Sequence, residues 1–163
     1  MDVNPDRLNT FIGKMLGDVG AAMGASLMLI GDKLGLYKAL AAEGPMNSSE
    51  LARATGTSER YVREWLAAQA ASGYVEYDAA SGKFSMTPEQ TLVLGDDDSP
   101  VFLGAVGSVV AATLLDEPKV SDAFKTGKGV GWNQRSELPV LWNRPLLPHR
   151  LQTPSGAGMA ARA

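Results

Sequence analysis

The stretch "LARATGTSERYVREWLAAQAASGYVEYD" (residues 51–78) carries most of the information about the fold. It reads as the end of a short helix, a turn at Gly56, a second helix to about Ser72, and the first strand of a hairpin. Asn47 and Glu50 have the spacing of a capping box before the first helix. Two short helices joined by a glycine turn and followed by a hairpin predict a winged helix-turn-helix.

The segments on either side complete this pattern. "YVEY" and "KFSM" predict paired strands, with "DAASG" as the turn of the wing. Thr87, Pro88 and Gln90 mark a further helix start, and Gly95 would end that helix. The predicted fold class is therefore mainly α: a winged helix-turn-helix with extra N-terminal and C-terminal helices and a small β-hairpin wing.

We divide the chain into four parts. We predict that residues 1–44 form an N-terminal helical dimerisation segment and that residues 45–95 form the winged helix-turn-helix. Residues 96–132 predict a helical connector, in which "VFLGAVGSVVAATLL" begins after Ser99-Pro100 and "VSDAF" is a separate short helix. Residues 133–163 have little periodicity, and we expect them to be a disordered or off-frame tail.

Two stripes run along the first predicted helix. One is apolar, at spacings of three and four residues: Leu8, Phe11, Ile12, Met15, Leu16, Val19 and Met23. The other is made of Gly13, Gly17, Gly20 and Gly24, which indicates close contact with the backbone of another helix. Burial in the core of one copy and a dimer interface are both compatible with these stripes.

Composition limits the functions that the chain can have. It has no cysteine and one histidine, His149, which excludes thiol chemistry and sites built from several Cys or His ligands. The apolar run "VGAAMGASLMLIG" (residues 19–31) is too short to span a bilayer and too far inside the chain for a signal peptide. We therefore predict a cytoplasmic protein that binds no metal and does not enter a membrane.

The second helix of the pair is where such a fold would contact DNA. Arg60 and Arg63 on that helix, with Lys83 on the wing, are the candidate contacts. Glu59 and Glu64 stand beside the arginines and would pair with them. The net charge of the chain is -3, whereas DNA-binding domains generally present a basic face. DNA binding is therefore the alternative function, a winged-helix transcriptional regulator.

The segment "GKGVG" (residues 127–131) superficially resembles a nucleotide-binding loop. Such a loop needs a strand before it and a helix after it, whereas a helical "DAFKT" precedes this one. We predict a connector there. No catalytic, cofactor-binding or metal-binding residue is assigned in this chain.

A longer series of motifs resembles a known family. It comprises "ASLMLIGDKLGLYKALAAEGP", "ELARATGTSERYVREWLAAQAASGYVEYD", "FSMTPEQTLVL", "SPVFLGA" and "AFKTGKGVGW". Together, over about residues 8–132, these segments resemble the N-terminal region of bacterial S-adenosylmethionine-dependent methyltransferases that act on small molecules. The resemblance implies a region that dimerises and covers the substrate pocket of a Rossmann-like catalytic domain, which follows it.

The resemblance also sets expectations for cofactor and substrate. The cofactor motif of that family lies downstream and is missing here, so we expect this chain neither to bind S-adenosylmethionine nor to catalyse by itself. Residues that could line a substrate pocket, or simply pack in the core, are Phe11, Met15, Met28, Tyr37 and Trp132.

The tail departs from the family. Suitable codons for residues 141–163, read one base later, can give "CGTDRFFRTGYRRHLVQEWLPAL", which resembles what the family carries after its GxGW segment. We therefore predict that residues from about Leu138 onward are off-frame, poorly ordered and irrelevant to function. The expected partner is a second copy of the chain, through the N-terminal helices. Another possibility is a pure dimerisation module that pairs with an intact methyltransferase subunit.

Overall fold

The computed structural model describes residues 2–136. The predicted off-frame tail from about residue 138 lies outside them. The elements in chain order are α1 (Pro5–Lys33), α2 (Leu36–Glu43), α3 (Ser48–Thr55), α4 (Glu59–Ala71), β1 (Glu76–Asp78), β2 (Lys83–Ser85), α5 (Pro88–Gln90) and α6 (Val106–Thr126). A π-helical turn (Thr91–Gly95) continues α5, and a 3-10 turn (Trp132–Gln134) follows α6. The predicted fold class is confirmed.

Side-chain caps fix where several helices begin. Asn47 and Glu50 form the predicted capping box at α3, with both reciprocal hydrogen bonds 2.9 Å long. Thr87 and Gln90 form a second box at α5. These bonds satisfy backbone N–H groups that have no partner within the helix, which is why these two starts could be predicted locally.

The core joins the end of α1 to α2 and α4. Tyr37 and Trp65 pack edge to face with ring centroids 5.0 Å apart, and the Tyr37 hydroxyl donates a hydrogen bond to the buried Gln69 side chain. Trp65 Nε1 donates to the carbonyl oxygen of Leu27 at 2.9 Å. Burial raises the pKa of Tyr37 above its ordinary value. The core therefore extends across the predicted boundary at residue 45, because it includes α2, the helix that precedes the helix-turn-helix pair.

The wing is a two-stranded antiparallel hairpin. Glu76 pairs with Ser85 and Asp78 with Lys83, so the first strand lies two residues later in the chain than the start of "YVEY" predicts. Asp78 accepts hydrogen bonds from the turn, including the backbone N–H of Ala80 at 3.0 Å. These bonds satisfy the turn backbone and place the end of β1 at Asp78.

The predicted helices of the connector need correction. Residues 99–105 form turns, so the helix begins at Val106 and not at Pro100. "VSDAF" is not a separate helix, because α6 runs without interruption through Pro118 to Thr126. A proline in a helix removes one backbone hydrogen bond, yet α6 continues through Pro118 without a break.

Most of α1 extends beyond the rest of the domain. Every residue from Asp2 to Met23 is exposed, and the first partly buried residue is Gly24. The helix has 29 residues, far more than the apolar run at residues 19–31, and by length and composition alone it could cross a membrane. It also carries Lys14 and Asp18 as an ion pair in its middle.

Candidate functional site

The helix that would read DNA is α4, and its charges are paired with one another. Arg60 Nε lies 3.5 Å from a carboxylate oxygen of Glu64, and Arg63 Nε lies 3.5 Å from one of Glu59. The predicted local pairing of arginine with glutamate is therefore confirmed. Two positive and two negative side chains cancel on this face, so it lacks the excess positive charge that attracts phosphates.

The wing residue Lys83 also has an acidic partner. Its Nζ lies 3.2 Å from a carboxylate oxygen of Glu50, whose pKa is lowered by hydrogen bonds from the Asn47 backbone and from Lys83. Sequence reasoning missed this pair, because the two residues are 33 positions apart. A shallow cavity of about 390 Å³ adjoins the pair and is lined by Glu43, Pro45, Met46, Glu50, Arg53, Ala54 and Lys83. Its charges are of both signs, so it favours no single ligand charge.

We expect these pairs to make DNA binding weak. Titration of labelled duplex DNA at low salt should show little affinity, because the candidate contacts are already neutralised by carboxylates. Arg63→Ala should therefore leave the binding curve unchanged. Tight binding that falls steeply with salt, and that Arg63→Ala weakens about tenfold or more, would instead establish the regulator function.

The apolar stripe of α1 is open to solvent in a single copy. The exposed fractions are 64% for Phe11, 52% for Met15, 64% for Leu16 and 53% for Val19. Burial in the core is therefore wrong for these residues within the part of the chain that the structure describes, residues 2–136. Their contiguity on one helix face is typical of a surface that another molecule covers.

The glycine stripe is open as well. Apart from the backbone of its own helix, a Cβ added at Gly13, Gly17, Gly20 or Gly24 would meet no atom within 4 Å. The close helix contact predicted for these glycines is therefore not made within residues 2–136. Gly31, at the end of the same helix, differs: its added Cβ would lie 2.5 Å from the rings of both Trp65 and Tyr37.

The five predicted pocket residues lie in different environments. Tyr37 is completely buried in the core, and Met28 is partly buried against it. Phe11 and Met15 lie on the exposed part of α1, and Trp132 is 75% exposed in the turn after α6. Within one copy these side chains do not form a common pocket, so a role for them in substrate binding stays a prediction.

The residues of the glycine loop do not fit a nucleotide or S-adenosylmethionine. The loop at residues 127–131 follows α6, not a strand, and up to residue 136, where the described chain ends, it is followed by a three-residue 3-10 turn and no longer helix. A cofactor loop of this type needs a strand before it and a helix N-terminus after it. No three metal-ligating side chains converge within the part of the chain that the structure describes.

Comparison with known proteins gives one sequence family and several structures. Residues 21–95 match the Rv2258c-like winged HTH domain. No curated protein matches the chain. Human N-acetylserotonin methyltransferase in complex with SAM is similar with a TM-score of 0.60 and 17% identity, over 79% of this chain and 37% of that protein.

Two further structures give the same result. The mitomycin 7-O-methyltransferase MmcR has a TM-score of 0.59 and 22% identity, over 76% of this chain and 37% of its own. CalO1, a methyltransferase in calicheamicin biosynthesis with SAH bound, has a TM-score of 0.58 and 24% identity, over 79% and 37%. The chain thus spans little more than a third of the length of these enzymes. Residues 21–95 thus match the Rv2258c-like winged HTH family, and the chain shares its fold with a little more than a third of each of these methyltransferase structures.

Proposed function

We propose that residues 2–136 are the dimerisation and substrate-covering region of a S-adenosylmethionine-dependent methyltransferase, and that they do not catalyse by themselves. The fold shared with methyltransferase N-terminal regions supports the family part of this proposal. The paired charges on α4 and the wing argue against the alternative of DNA reading.

The open apolar face of α1 is the observation that carries the dimer. From residue 5 to residue 23 the helix makes about five turns without a buried residue. A single helix of this length is marginal in water, and most helix stability in proteins comes from packing an apolar face. A second copy is the partner that would cover this face, since most soluble oligomers are symmetric pairs of like chains.

The open apolar face of α1 also supports a role in covering a substrate. Phe11 and Met15 lie on the open face and are therefore available to a neighbouring molecule, whereas Tyr37 is committed to the core of its own copy. The similar structures are methyltransferases named for N-acetylserotonin and for mitomycin, which are small molecules. We infer a small-molecule methyl acceptor for the intact enzyme, with S-adenosylmethionine bound by a separate catalytic domain.

The dimer is tested by placing a charge on the open face. Val19→Glu should convert a dimer into a monomer, because a carboxylate buried without a partner is strongly unfavourable. Thr10→Glu is the matched control, since nine residues of helix place position 10 on the opposite side from position 19. Light scattering coupled to size exclusion gives the mass of each variant.

Two other results would change the proposal. A monomeric wild type at about 100 μM would contradict dimerisation through α1, since specific dimers with dissociation constants of 1 μM or below are associated at that concentration. Co-sedimentation of the wild type with neutral lipid vesicles, lost in Val19→Glu, would show that a membrane covers the helix instead. Mixed dimers on co-expression with an intact methyltransferase would identify the chain as an accessory subunit.

A further inference from the structure

The segment after α6 is hydrogen-bonded to the middle of that helix through one buried carboxylate, that of Asp116. Asp116, only 7% exposed, accepts hydrogen bonds from the Ser136 backbone N–H at 2.9 and 3.0 Å and from the Ser136 hydroxyl at 2.7 Å. Lys119 Nζ donates to Asp116 at 2.8 Å and to the Gln134 carbonyl oxygen at 2.6 Å. We call Asp116, Lys119, Gln134 and Ser136 the α6 clasp.

The chain reverses its direction between the end of α6 and the clasp. Gly127 and Gly129 have φ values of 71° and 69°, a backbone conformation that glycine adopts at little cost, and they turn the chain at the end of α6. Ser136 then lies beside Asp116, which is 11 residues before Gly127 and so about 16 Å back along the helix axis. The chain at Ser136 is therefore held near the middle of α6, not at its free end.

The same clasp spans the proline of α6. Pro118 has no N–H, so the carbonyl oxygen of Leu114 lacks its usual donor four residues on. Asp116 lies before Pro118 and Lys119 after it, and their ion pair bridges that turn. A break in the helix at this proline is expected from sequence alone, and the bridge is a physical reason why none occurs.

We propose that Asp116 is a positioning residue, which braces α6 across Pro118 and holds residues 127–136 folded back along the helix. The geometry alone supports this role, and the three donors also hold the pKa of the Asp116 carboxyl at about 2, mainly through Lys119 and then Ser136. The carboxylate is thus charged at neutral pH. The role does not depend on dimerisation or on methyl transfer.

Amide hydrogen exchange on the full chain tests the clasp. Asp116→Asn should raise the exchange rates of the Gln134, Arg135 and Ser136 amides by about tenfold or more, because hydrogen bonds to a charged acceptor are the stronger kind. The matched control is Asp122→Asn, since the exposed Asp122 side chain has no partner among the described residues of the same helix. It should leave these amides unchanged.

Two more variants separate the two parts of the role. Ser136→Ala should raise exchange in residues 127–136 without affecting α6, and it keeps the proposal testable if Asp116→Asn unfolds. Asp116→Asn should also raise exchange in α6 around Pro118, and adding Pro118→Ala should restore protection there but not in residues 127–136. If residues 134–136 exchange at the wild-type rate in both Asp116→Asn and Ser136→Ala, the clasp does not hold the segment and the proposal is wrong.

Discussion

Replacing Trp65 with alanine is expected to lower the free energy of unfolding by about 3–5 kcal/mol. The ring is 4% exposed, packs against Tyr37 and donates a hydrogen bond to the Leu27 carbonyl oxygen. Its removal leaves a cavity between α1, α2 and α4 and also removes the indole hydrogen bond to the Leu27 carbonyl oxygen. Urea unfolding, followed by far-UV circular dichroism at one fixed protein concentration, measures the change.

The matched control for this variant lies on the same helix. Tyr61 is 78% exposed, so Tyr61→Ala should change stability by less than about 0.5 kcal/mol. Trp65→Phe keeps an aromatic ring but loses the N–H donor. Its loss in free energy of unfolding should lie between those of Trp65→Ala and Tyr61→Ala. If Trp65→Ala and Tyr61→Ala have equal effects, Trp65 does not lie at the centre of the core as described.

Replacing Gly107 with alanine is expected to cost about 1–3 kcal/mol, although alanine normally stabilises a helix relative to glycine. The added Cβ would lie 2.6 Å from the Ala25 carbonyl oxygen and 2.9 Å from the Leu29 backbone nitrogen. Both are backbone atoms, so a side-chain rotation cannot relieve the overlap and α6 must move away from α1. The same urea unfolding measures the loss.

Thr113→Ala is the control for this second variant. Thr113 is exposed on α6 and its hydroxyl bonds only to the Val109 carbonyl oxygen of its own helix. The change should be neutral or slightly stabilising, since alanine has the higher helix propensity. A stabilising effect of Gly107→Ala would show that the two helices do not approach as closely at this point.

Sequence alone predicted the features that follow from local chemistry. The capping boxes at Asn47 and Thr87 depend on residues three positions apart, and the arginine–glutamate pairs of α4 on residues four apart. The hairpin was predicted from its turn residues, though the position of its first strand was shifted. These elements together were sufficient to predict the winged helix-turn-helix.

The predictions from sequence failed where the structure depends on contacts between residues that are far apart in the chain. The course of α6 through Pro118 involves Ser136, which is 20 residues from Asp116, and its packing involves α1, which is far away in the chain. The partner of Lys83 was missed for the same reason. The roles of Phe11, Met15, Met28, Tyr37 and Trp132 in a substrate pocket stay predictions, as do the cytoplasmic location and the dimer.

The unsupported length of α1 has a consequence for how the chain responds to dilution. If a second copy covers the apolar face, the folding of residues 5–23 is linked to association, and mass action governs both. The midpoint of thermal unfolding of residues 5–23 should then rise with protein concentration. The unfolding midpoint of the core around Tyr37 should not depend on concentration. At low expression levels the first five turns would be frayed, and proteolysis would begin there.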